Sequence, residues 1–68
     1  MTDKLKLNMK MVEKGFSQRS FAVEMKKSKN TISAIFTGKK QPRLDEVDDM
    51  CRILEIEDPL EKIQIFLN

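Results

Sequence analysis

The chain has 68 residues, with 13 Lys/Arg against 11 Asp/Glu for a net charge of +2, one cysteine and no histidine. A length near the lower limit for folding without metals or disulfides commits nearly every helix to the core and leaves little room for a catalytic cleft. With Cys51 alone, neither an intramolecular disulfide nor a Cys/His metal site can be assembled in one chain, and no cofactor or metal is expected.

The N-terminal MTDKLKLNMK is charged at every second or third position, and no segment approaches the roughly 20 apolar residues of a membrane span. A cytoplasmic protein is therefore expected. Thr2 and Asp3 can cap a first helix that runs to about Lys14, where Gly15 supplies a left-handed stop. At 100° per residue, Leu7 and Met11 share one side of this helix while Leu5, Met9 and Val12 lie nearly opposite. One stripe must face the domain, and the other needs either the C-terminal helix or another protein chain.

Ser17 caps a second helix, Gln18 to about Met25, with Phe21, Ala22 and Met25 on one face. Ser28 caps a third, Lys29 to about Phe36, with Ile32, Ile35 and Phe36 inward and Gly38 ending it. Two helices joined by a turn of three or four residues outline a helix-turn-helix. A fourth helix follows Pro42, from Leu44 to about Leu54, with Leu44, Val47, Met50, Cys51 and Leu54 as its apolar series. Asp58-Pro59 opens a fifth, in which Leu60, Ile63 and Leu67 share a face, Phe66 sits beside them and Ile65 points away. The expected architecture is all-α, five short helices in a single domain spanning residues 1–68.

The small net charge hides a polarity. Residues 1–43 hold eleven Lys/Arg against three acids, whereas residues 44–68 hold Arg52 and Lys62 against eight acids. Such a chain can present a basic face to a polyanion. The acidic half is expected to face away from it.

From about Leu7 to Leu60 the sequence resembles the DNA-binding domain of lambdoid phage repressors and Cro proteins, often called Xre-like. The matching residues are Ser17-Gln18, Phe21-Ala22, Ser28-x-x-Thr31-Ile32-Ser33, Gly38, Pro42 and the helix from Leu44. Two departures stand out. Lys26-Lys27 replaces the family's glycine and apolar residue, which allows a longer or tilted turn. Met11 and Phe36 occupy the positions where many relatives hold an arginine–glutamate ion pair, so both halves have become apolar together, as the cost of one unpaired buried charge requires.

The resemblance implies a lambda-repressor-like fold and a DNA-binding transcription regulator of phage or prophage type, Cro-like or a minimal repressor, reading operator DNA with the third helix. A helix is about as wide as the major groove, and its N-terminal exposed residues reach base edges. Lys29, Asn30, Thr31 and Ser33 are the expected readers, with Ala34 offering a methyl group to thymine. Gln18 corresponds to a phosphate ligand, and Arg19, Lys27, Lys39, Lys40 and Arg43 are expected along the flanking backbone. Relatives act as two-fold dimers on inverted repeats. Here the chain ends soon after the fifth helix, so no separate oligomerisation domain is expected, and Ile65 and Phe66 are the expected dimer contacts. A different class of function is a helix-turn-helix kept as a protein-interaction module, such as an anti-repressor or antitoxin. No enzyme is expected, because no nucleophile and base constellation is present.

Overall fold

Helix starts fall where short polar side chains can satisfy free amides. In the computed structural model, which describes residues 1–67, Asp3 accepts from the Lys6 amide at 3.1 Å, Ser17 from Ser20, Ser28 from Thr31 and Asp58 from Leu60. These caps open α1 (Lys4–Glu13), α2 (Gln18–Met25), α3 (Lys29–Phe36) and α5 (Pro59–Phe66). The remaining helix, α4 (Leu44–Ile53), begins at Arg43, whose side chain has no acceptor to offer. Its start is secured from the other direction, by Glu46 reaching back to accept from the Arg43 amide at 2.8 Å. Among the described residues there are five helices and no strand.

Four of the helices end in the same way. A residue in the left-handed region follows the last turn, at Gly15 (φ 80°), Lys26 (φ 57°), Gly38 (φ 81°) and Glu55 (φ 57°). The next amide in each case bonds back into the helix: Phe16 to Met11, Lys27 to Ala22, Lys39 to Ala34 and Ile56 to Cys51. The turn between α2 and α3 is therefore three residues, Lys26 to Ser28, and not lengthened. Lys26 takes the conformation that glycine usually supplies, because the two amides that close the end, Lys26 to Val23 and Lys27 to Ala22, offset its cost.

The five helices share one core. Phe21 lies at its centre, fully buried, with the rings of Phe16 and Phe36 edge-on to it at 5.5 and 5.9 Å. Around it pack Leu7 and Met11 of α1, Ile32 and Ile35 of α3, Val47 and Met50 of α4, and Leu54 and Ile56 just beyond it. Leu44, expected within the apolar series of α4, is 77% exposed at the first position of that helix.

Helix α5 presents the opposite face from the one expected. Ile65 and Phe66 are buried at 3% and 0% exposure, while Leu60, Ile63 and Leu67 lie outside. Ile65 and Phe66 are therefore core residues and not dimer contacts. This face brings the Phe66 ring, one of the largest fully buried side chains, into the core, and the charges beside it find partners. Glu61 meets Lys10 of α1 at 3.1 Å and Lys62 meets Asp48 of α4 at 3.1 Å, so this face docks with its flanking charges paired. The backbone adds a further tie, with the Asp3 amide donating to the Ile65 carbonyl at 2.6 Å. On α1, Leu7 and Met11 turn inward as expected, and Leu5, Met9 and Val12 remain exposed.

The left-handed residues yield a stability prediction. Replacing Lys26 by glycine removes the Cβ penalty at φ 57°, partly offset by a more flexible unfolded chain, and is expected to add about 0.5–1 kcal/mol in denaturant melts. A loss of stability on Lys26→Gly would mean that the lysine side chain contributes more than its backbone costs.

Candidate nucleic-acid interface

Helix α3 has eight residues, and the three that face the core determine what the rest can do. Ile32, Ile35 and Phe36 are buried. With them inward, the helical period puts Asn30 at the middle of the outer face, with Ser33 and Ala34 on either side of it and Lys29 and Thr31 at the margins. Lys29 and Asn30 are exposed, and Thr31, Ser33 and Ala34 are half-buried. The Thr31 hydroxyl shares a hydrogen bond of 2.9 Å with the Ser28 hydroxyl, so it is already engaged in the helix cap. The outer face is thus centred on Asn30, Ser33 and Ala34.

The cations divide into two groups. Arg19 and Lys39 are exposed and make no ion pair among the described residues. Gln18 is half-buried at the first position of α2, where the helix dipole favours an anion. Lys27, Lys40 and Arg43 instead converge on Glu46. Its Oε2 lies 3.2 Å from Lys27 Nζ and 3.6 Å from Lys40 Nζ, and its Oε1 is 3.8 Å from Arg43 Nε. Arg43 also meets Asp45 at 3.3 Å.

Sequence reasoning missed Glu46. It belongs to the acidic half expected to face away from the basic surface, yet it is 1% exposed and directed into that surface. The available signal was the spacing Arg43-x-x-Glu46, the second half of a capping box with arginine where serine or threonine normally stands. The N-terminus was missed as well. Thr2 and Gln41 form a pair, the Thr2 amide donating to Gln41 Oε1 at 3.2 Å and Gln41 Nε2 donating to Thr2 Oγ1 at 3.0 Å. This pair holds the start of the chain against the α3–α4 loop. A cavity of about 330 Å³ lies between them, with Lys4, Lys39 and Lys40 among its lining residues. Lys4 crosses over Gly38, where a Cβ would come within 2.9 Å of its side chain.

This arrangement has two short helices joined by a three-residue turn, the second with an open polar face, and cations on the turn and the loop after it. A family model described as helix-turn-helix matches residues 6–59. The chain belongs to that family. Its Xre-like members are DNA-binding regulators, and the all-α architecture agrees with the lambda-repressor-like fold. No curated protein and no solved structure matches the chain. Among the described residues no three His, Cys, Asp or Glu side chains come together as a metal site, and no helix is long and apolar enough to cross a membrane.

Within this helix-turn-helix the titratable groups separate cleanly. Burial pushes the Cys51 thiol up, which leaves it protonated and inert within the core. The Glu46 carboxyl is held below its usual range, first by the Arg43 amide and then by Lys27 and Lys40, against the opposing effect of burial. A carboxylate whose folded pKa is depressed adds stability above its unfolded pKa and loses it as pH falls through the folded value. Melts taken from pH 7 downward are expected to show a loss of stability beginning near about pH 5. Glu46→Gln should cost about 1–2 kcal/mol at pH 7 and show a smaller acid-dependent loss. Parallel acid profiles for the two proteins would assign the acid sensitivity to other carboxylates.

Proposed function

We propose that the protein is a sequence-specific transcription regulator, Cro-like or a minimal repressor, that reads operator DNA with α3 in the major groove. One observation carries this reading: the open face of α3 is centred on Asn30, Ser33 and Ala34, and the segments on either side of α3 in the chain carry cations, Arg19 on α2, Lys27 in the turn and Lys39 and Lys40 in the α3–α4 loop. Asn30 can pair bidentately with adenine, Lys29 can donate to guanine, Ser33 can bond either, and Ala34 can touch a thymine methyl. Thr31, bonded to Ser28, sits at the edge of this set. Gln18, Arg19, Lys27, Lys39, Lys40 and Arg43 bind backbone phosphate and set the register without reading sequence. Two copies on an inverted repeat would place their recognition helices about 34 Å apart. The protein acts in the cytoplasm without a cofactor.

With Ile65 and Phe66 in the core, the apolar area available to a second subunit is Leu60 and Ile63 of α5 and Leu67 just after it. A second reading, a protein-interaction module, is favoured by the exposed Leu5, Met9 and Val12 of α1, which no other helix covers. Selection of bound sequences from a random DNA pool separates the two: enrichment of a roughly palindromic site supports the regulator, and no enrichment at low salt supports the protein-interaction module.

On the selected site, Asn30→Ala is expected to cost roughly 1–3 kcal/mol and much less on random duplex. Lys39→Ala should instead weaken both alike and reduce the magnitude of the log–log salt slope by about 1, since this lysine releases its counterion fully. Equal losses on both duplexes for Asn30→Ala would reduce Asn30 to a positioning contact.

Leu60→Glu tests the second subunit. Leu60 is exposed in the first turn of α5, where a carboxylate is favoured by the helix dipole, so the fold should tolerate the change. Cooperative binding to the full site should be lost with half-site affinity nearly intact. Unaltered cooperativity would place the subunit contact elsewhere.

A further inference from the structure

Glu46 is a buried carboxylate in the one place where a DNA-binding surface would be expected to avoid negative charge. It collects cations from three separate segments: Lys27 from the turn before α3, Lys40 from the loop after α3, and Arg43 from the start of α4. Counting Asp45, which also meets Arg43, two carboxylates against three cations leave the cluster positive. The contacts to Lys27 and Lys40 are ion pairs to the same oxygen, Oε2, which accepts no hydrogen bond among the described residues. Their ammonium groups are thereby held within the span of a single phosphate.

Both lysines keep an open side, with 29% and 42% of their side chains exposed. An ammonium has three donors, and an ion pair with Glu46 leaves them able to reach a further acceptor. A free lysine must give up rotamer freedom to bind phosphate, whereas a lysine already held has less to lose. Because Lys27 precedes α3 and Lys40 follows it, holding the two together also fixes cations at both ends of the reading helix.

We propose that Glu46 is a positioning residue for the DNA backbone, acting through Lys27 and Lys40 to pre-arrange them for phosphate. The proposal rests on the DNA-binding reading above. It runs against simple electrostatics, by which removing a negative charge beside a polyanion strengthens binding. The sign of one substitution therefore decides between them.

The test is binding of the full chain to a random DNA duplex at low salt, followed by fluorescence anisotropy. Four proteins are compared: wild type, Glu46→Gln, the Lys27→Ala/Lys40→Ala pair, and the three changes together. Glutamine keeps an acceptor for the Arg43 amide, and circular dichroism confirms that each protein is folded at the assay temperature. Glu46→Gln is expected to weaken binding about three- to tenfold despite the lost negative charge, and to have no effect once both lysines are absent. Glu46→Asp, which keeps the charge and shortens the reach, is expected to weaken binding as well and serves if the glutamine variant does not fold. Unchanged or tighter binding by these variants, or a loss that persists without the lysines, overturns the positioning role and leaves DNA binding standing. Failure of the wild type to bind any duplex at low salt overturns the DNA-binding reading and this proposal together.

Discussion

An eight-residue helix is too short to hold its shape in water, so α3 exists because of what it buries. Ile32, Ile35 and Phe36 enter the core, and the Phe36 ring meets Phe21 edge-on. That contact links α3 to α2, and the three-residue turn leaves little freedom in how the two helices cross. Everything asked of the outer face follows from this. A rotation of α3 by one residue would carry Asn30 toward the margin and a core residue toward solvent, at the cost of burying polar atoms. The inner face therefore orients the outer one.

Charge is organised with a similar economy. Where many relatives bury an arginine–glutamate pair, this chain has Met11 and Phe36, both in the core. The buried acid it does carry, Glu46, lies instead among the cations that border α3. Its burial is tolerated because the Arg43 amide and two ammonium groups replace the water it loses. The same carboxylate serves as the missing cap of α4. A polar residue that starts a helix thus also joins the turn, the loop and α4 into one unit, with the Thr2–Gln41 pair extending that unit to the N-terminus.

Those features that depend on neighbours in the chain were legible in the sequence. Ser17, Ser28, Asp3 and Asp58 mark helix starts because a cap needs only a side chain two or three residues from the amide it accepts. Gly15 and Gly38 mark ends because glycine reaches positive φ without steric cost. Lys26 and Glu55 make the same turn without that signature, and only the fold shows that hydrogen bonds further back compensate. The face that α5 presents was illegible for a different reason. Its eight residues carry apolar groups on both sides, and the face that docks is set by elements distant in the chain, which cover Ile65 and Phe66 and supply Lys10 and Asp48 as partners for Glu61 and Lys62. The outer face of α3 was readable residue by residue, but the convergence on Glu46 was not, because Lys27 lies far from it in the chain while Lys40 and Arg43 are near.

Turning α5 over does not remove the surplus of apolar surface; it moves it. Covering Ile65 and Phe66 leaves Leu60, Ile63 and Leu67 outside, and Leu5, Met9 and Val12 of α1 are also exposed. On a chain of 68 residues a single core layer cannot absorb both sides of two amphipathic helices. A second subunit held through α5 would add its own cationic face to the same DNA. Each subunit would then raise the effective concentration of the other on the duplex, so that even a weak apolar contact could give cooperative binding.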